Sequence, residues 1–108
     1  MANNEWMAEG IIARSWGDPQ VVNSAQFYCE NLIARGHYDW HLPRVGELKE
    51  LPRLKLQTAG SLFWSNDPEP LVGQRKAKRA YAFDLVTGQP LLADINFKLW
   101  VICVRETD

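Results

Sequence analysis

The feature that most restricts this sequence is its closing run, "FKLWVICVR" (Phe97–Arg105), which is apolar at nearly every position after Lys98. A strand that is apolar on both of its alternating faces must be covered on both. It therefore belongs in the interior of a sheet rather than at an edge. The other elements have to be arranged around it.

Upstream, "EGIIAR" (Glu9–Arg14) reads as a short first strand, and "WGDP" (Trp16–Pro19) turns the chain. Asp18 with Pro19, or Asn23 and Ser24, would start a helix. Val22, Ala25, Cys29, Leu32 and Ile33, with Tyr28 in the same stripe, fall at helical spacing, and Gly36 reads as the stop. A shorter helix is expected over Val45–Leu51, weakened by Gly46 and ended by Pro52. Ser61–Ser65 forms a strand entering the polar turn "NDPEP". Ala80–Leu85 forms another, with Tyr81, Phe83 and Leu85 on one face, and Thr87-Gly88 turns the chain back. One strand, two helices and then several short strands imply an α+β domain. At 108 residues the chain makes one domain, residues 1–108.

Composition supports a packed interior: 46% of residues are hydrophobic and 11% aromatic, with five tryptophans to act as large anchors. The net charge of −1 provides no general field for nucleic acid or an anionic membrane. No apolar run approaches the roughly 18–20 residues of a membrane span. The N-terminus shows no secretory pattern, which leaves the compartment open. Cys29 and Cys103 are the only cysteines. If bonded they would close a long loop, stabilising by roughly 4 kcal/mol. On the residues alone, two buried thiols are an equal alternative.

The landmarks follow one succession. A helix with a cysteine, "AQFYCENL", leads into "GHYDWHLPRVGELKEL"; then come "LFWS", "AYAFDLVTGQP" and the closing "VICVR". Over about residues 22–105 this resembles the Lcl C-terminal domain family, found at the end of bacterial collagen-like adhesins. The resemblance implies a C-type-lectin-like fold, with two helices packed on a small, mainly antiparallel sheet with long loops. It also implies a Cys29–Cys103 bond tying the first helix to the last strand. Asp39, Trp40, Leu42 and Pro43 would match a structural corner between the helices, with the tryptophan buried. His41 stands where the family has arginine. Arg44 stands where it has threonine, which removes a helix cap, and Asn66 replaces a serine. The family is usually exported, which points to the cell surface, whereas the missing signal points to the cytoplasm.

Four candidate sites follow. His37, Asp39 and His41 alternate on an extended segment and could face one metal ion, but no further ligand pairing is evident. The preferred reading is a corner in which Asp39 bonds local backbone N–H groups. "WSND" and "PEP" resemble fragments of a calcium-lectin loop, yet Asn66, Asp67 and Glu69 fall short of six to eight ligands. No metal or cofactor is expected. "GQRKAKR" holds the only concentrated charge, Arg75, Lys76, Lys78 and Arg79. It is either a solvated loop or a contact for an anionic partner, and without interleaved aromatics it does not favour nucleic acid. Finally, Ser24, Ser61 and Ser65 lack a nucleophile-elbow setting and Cys29 lies on a buried helix face, so no enzyme is expected.

The resulting expectation is a non-catalytic binding module that recognises a protein or anionic glycan through the loop 66–79. Trp64, Asn66, Asp67, Arg75, Lys76, Lys78 and Arg79 would make the contacts. The alternative is a stand-alone cytoplasmic interaction or inhibitor protein of phage or plasmid type, acting on an intracellular protein.

Overall fold

A computed structural model of the chain describes residues 3–17, 24–54, 62–70 and 78–107. Its body is one five-stranded sheet in the order β1-β5-β2-β3-β4. The strands are β1 (Asn3–Arg14), β2 (Leu62–Pro68), β3 (Arg79–Asp84), β4 (Gln89–Asp94) and β5 (Leu99–Thr107). All neighbours are antiparallel except β2 and β5, which run parallel at Phe63–Trp100.

β5 occupies the interior position that its apolar sequence requires. Val101 and Cys103 point to one side, into a core with Met7, Trp16, Trp40, Leu42, Trp64, Ala80 and Ala82. Ile102 and Val104 point to the other, joining Trp6, Leu48, Leu51, Phe63 and Phe83. The period of two thus feeds both faces of the sheet from one strand.

Among the described residues, three short helices cover these faces: α1 (Ala25–Glu30), α2 (Val45–Leu48) and α3 (Leu51–Leu54). α1 lies over the first face. Ser24 caps it by accepting from Phe27 N–H at 3.1 Å, and Ala25 and Cys29 are fully buried. Cys29 is bonded to Cys103, 74 residues further along, which fixes α1 to the interior strand β5. Gly17 lies against the cap. Its φ is +49°, and a Cβ there would come within 2.6 Å of the Ser24 Cβ, so only glycine fits. Leu48 and Leu51, on α2 and α3, close the second face.

The expectation of an α+β, C-type-lectin-like domain with two helices packed on a small sheet is overturned. The chain is mostly sheet, and among the described residues the helices run six, four and four residues. The helical stripe ends early because Asn31 folds its amide back to Phe27 O at 2.9 Å. Ala34 and His37 then exchange two backbone hydrogen bonds around Arg35 (φ 55°) and Gly36 (φ 78°). Those angles make a two-residue type I′ hairpin, so Gly36 serves a turn rather than a helix stop. Ile33, expected in the buried stripe, is 79% exposed. The expected Val45–Leu51 helix breaks at Lys49 and Glu50. Pro52 lies in the first turn of α3, where its missing N–H costs nothing.

The strands differ as well. β1 begins at Asn3 rather than Glu9, pairing back along β5 as far as Thr107. β2 continues through Asn66–Pro68, where the sequence pattern implies a turn. β4, which was not anticipated, hairpins onto β3 through Leu85–Gly88, where Gly88 N–H reaches Asp84 O at 2.8 Å. Tyr81 and Phe83 share one face of β3 as expected, with Phe83 in the second core and Leu85 packed against it, while Ala80 and Ala82 on the other face fill the first.

Replacing both cysteines by alanine should lower the unfolding free energy by roughly 4 kcal/mol, the loop-closure value for a link of this span. Urea denaturation of the double variant against the oxidised protein measures it.

Candidate functional site

The site begins where β2 leaves the sheet. Ser65 is fully buried; its hydroxyl donates to Tyr81 O and accepts from Asp67 N–H at 3.1 Å. Its carbonyl takes the Trp16 indole N–H at 2.8 Å, and Asn66 N–H goes to Pro43 O at 2.7 Å. These groups are diverted from the β2–β3 ladder, which is where its register shifts, between Trp64 and Pro68. The bulge aims Asp67 at α2. Asp67 accepts Val45 N–H at 2.8 Å and the Arg44 Nε at 3.0 Å. Glu47 reaches back to Arg44 N–H at 3.0 Å and lies 3.3 Å from His41 Nε2. Arg44 cannot cap a helix with its own side chain, so a carboxylate 23 residues away does so.

The expected contact residues separate into different roles. Trp64 is fully buried and its indole donates to Arg14 O at 2.8 Å, so it is a core residue and not an anchor for a partner. Asn66 accepts from the Gln26 amide at 3.2 Å. Asp67 is the cap just described. Arg79 is held by both carboxylate oxygens of Glu69, which keeps the Glu69 carboxyl below its ordinary value. Lys78 is exposed. Arg75 and Lys76 lie outside the described residues, as does half of the loop 66–79, residues 71–77. Asp67 and Glu69 are thus committed to structure, and the described residues contain no group of three metal-ligating side chains.

The corner residues also act at longer range than expected. Asp39 is held chiefly by a remote partner: both its oxygens take the guanidinium of Arg105, at 2.7 and 3.4 Å, with its own backbone N–H as a lesser contact. Arg105 donates as well to Glu5 at 2.9 Å, and Arg35 reaches the same Glu5 at 3.0 Å. This fork-to-carboxylate geometry links the corner, β1 and β5. Trp40 is 3% exposed and donates to Ala34 O at 3.3 Å, and Pro43 is fully buried. His41 exchanges two 2.9 Å backbone bonds with Val104. The side chains of Asp39 and His41 thus turn to different partners, Arg105 and Glu47.

Two adjoining hollows remain open around Asp67. One, of about 710 Å³, is lined by Asn4, His41, Arg44, Gly46, Glu47, Asn66, Asp67 and Glu106. The other, of about 410 Å³, is mostly apolar, with Val45, Pro68, Pro70, Tyr81 and Pro90 beside Asp67. Both have sizes typical of ligand-binding clefts. Sequence reasoning found Asn66 and Asp67 here but missed Tyr81, Pro90 and Glu106. They come from three separate strands that only the sheet order brings to one end.

No protein-family model matches this sequence, and no curated protein matches it. No described helix is long and apolar enough to cross a membrane.

Two outcomes follow from this geometry. Asp67→Ala removes the cap of α2 and should destabilise by about 1 kcal/mol, measured by chemical denaturation. The second concerns pH. Arg35 and then Arg105 hold the Glu5 carboxyl below its ordinary 4.5, and Arg105 holds Asp39 below its ordinary 3.8. Carboxyls lowered in the folded state stabilise above their unfolded values, and that contribution is lost as pH falls through the folded ones. The melting temperature should therefore drop on acidification below 4.5. Arg105→Met should flatten the drop, as thermal melts across this range would show.

Proposed function

We propose that the protein is a non-catalytic binding module for a protein partner, engaged at the end of β2 where the two hollows meet. The observation that carries this reading is the apolar hollow of Val45, Pro68, Pro70, Tyr81 and Pro90, open beside a polar one on a firmly tied scaffold. Its walls are prolines, a short capped helix and paired strands, so little conformational entropy is lost on binding. The motifs shared with adhesin C-terminal domains agree with a binding role. The Cys29–Cys103 bond agrees with an oxidising compartment and weighs against the reading of an inhibitor in the cytosol. An anionic glycan is the second reading, favoured by the exposed Lys78. The described hollows weigh against it, since they present the carboxylates of Glu47, Asp67 and Glu106.

Gly46 gives a direct test. It lines the polar hollow, and a Cβ there meets nothing within 4 Å. Gly46→Gln should raise stability slightly, because glutamine is the better helix former, while filling the hollow. Immobilised protein and glycan arrays are screened with the oxidised wild type, and every saturable ligand is measured again with Gly46→Gln and with Ile33→Ser. The expected result is a protein ligand weakened at least tenfold by Gly46→Gln and unaffected by Ile33→Ser. Loss with Ile33→Ser alone, or ligands confined to glycans, overturns the proposal.

A further inference from the structure

The two hollows differ in chemistry but share Asp67, and together they describe the segment that would occupy them. We infer that the occupant is an extended peptide segment of a protein partner, with a lysine or arginine side chain next to an apolar one. This deepens the proposed function and rests on it.

The apolar hollow supplies the main surface. Tyr81 from β3, Pro90 from β4, Pro68 and Pro70 from the end of β2 and Val45 from α2 line it. Such a surface takes an aliphatic side chain without demanding hydrogen bonds. Charge then selects the neighbour. Glu47, Asp67 and Glu106 line the adjoining hollow, against the single guanidinium of Arg44. Glu47 and Asp67 spend part of their acceptor capacity on the α2 N-terminus and on Arg44. An ionised carboxylate has about four lone-pair sites, so each can accept further donors. Glu106 is exposed and sits opposite Asn4 in the β1–β5 ladder. Asn66 and Asn4 add amide groups along the same wall. A cationic head is complementary to this wall and an anionic one is repelled. Asp67 lies at the junction, so consecutive apolar and basic side chains would straddle it.

The test is an amide-shift titration of the ¹⁵N-labelled, oxidised protein with three probes. They are acetyl-Leu-Lys-Leu-Lys-Leu-amide, its counterpart with glutamate for lysine, and a heparin-derived tetrasaccharide. The lysine peptide should shift Gly46, Glu47, Asp67 and Tyr81 saturably, and the other two should not. Gly46→Lys should weaken the lysine peptide by about threefold and Gly46→Glu should strengthen it by a similar factor, the scale of one exposed charge pair. Both variants replace a helical glycine in open space, so folding is preserved. Equal shifts from the glutamate peptide, no saturable shift from the lysine peptide, or indifference to charge at position 46 would each overturn the inference. If array ligands still lose affinity in Gly46→Gln while the lysine peptide fails, only the cationic occupant is wrong. If neither responds to position 46, the location of the site falls too.

Discussion

The bond between Cys29 and Cys103 lies in the first core, between α1 and β5, and most of the fold can be traced from it. α1 has only six residues, too few to be stable alone, since helix nucleation is unfavourable and short helices gain little from propagation. It holds its place through Ser24, the buried Ala25, Gln26 and Cys29, and the covalent link to β5. The same strand receives β1 on one side, β2 on the other, and the backbone of His41 near its end. A tie at Cys103 therefore orders the helix and, beyond it, the corner from Trp40 to Pro43. The corner in turn sets the start of α2.

That chain of dependence carries through to the candidate site. α2 has four residues and no capping side chain of its own. It is fixed by Asp67 from the bulged end of β2, by Glu47 reaching back to Arg44 N–H, and by Leu48 in the second core. The groups that form the hollows are also the groups that hold the helix. The charged side chains around the site are therefore preorganised, and a partner would meet them in place. On the opposite side, Arg105 binds Glu5 and Asp39 together, joining the first strand, the corner and the last strand.

Much of this was legible where one residue type has one physical use. The doubly apolar run after Lys98 specified an interior strand, and Thr87-Gly88 marked a hairpin. Helical spacing located α1 but overstated its length, because apolar periodicity cannot show that Asn31 bonds back to Phe27 or that Arg35 and Gly36 form a two-residue turn. Asp67 and Asn66 stood out as polar residues in a turn-like stretch. Their use as a remote cap and as a partner of Gln26 depends on contacts 22 and 40 residues away. Trp64 looked available because it borders a polar segment, yet alternation along β2 turns it into the core. β4 carries Pro90 near its start, and only the sheet order shows it to be an edge strand. On an edge strand, a proline is tolerated.

The account depends most on the Cys29–Cys103 bond, and its most direct test is the thiol state of the protein in its native cells. Cells are quenched in acid, unfolded in the presence of an alkylating reagent, and the intact mass is measured without reductant. The account predicts a protein carrying no alkyl group, and a non-reduced digest in which the peptides containing Cys29 and Cys103 travel together. A protein alkylated at both cysteines would contradict it. That result would leave α1 held by packing alone and remove the argument for an oxidising compartment.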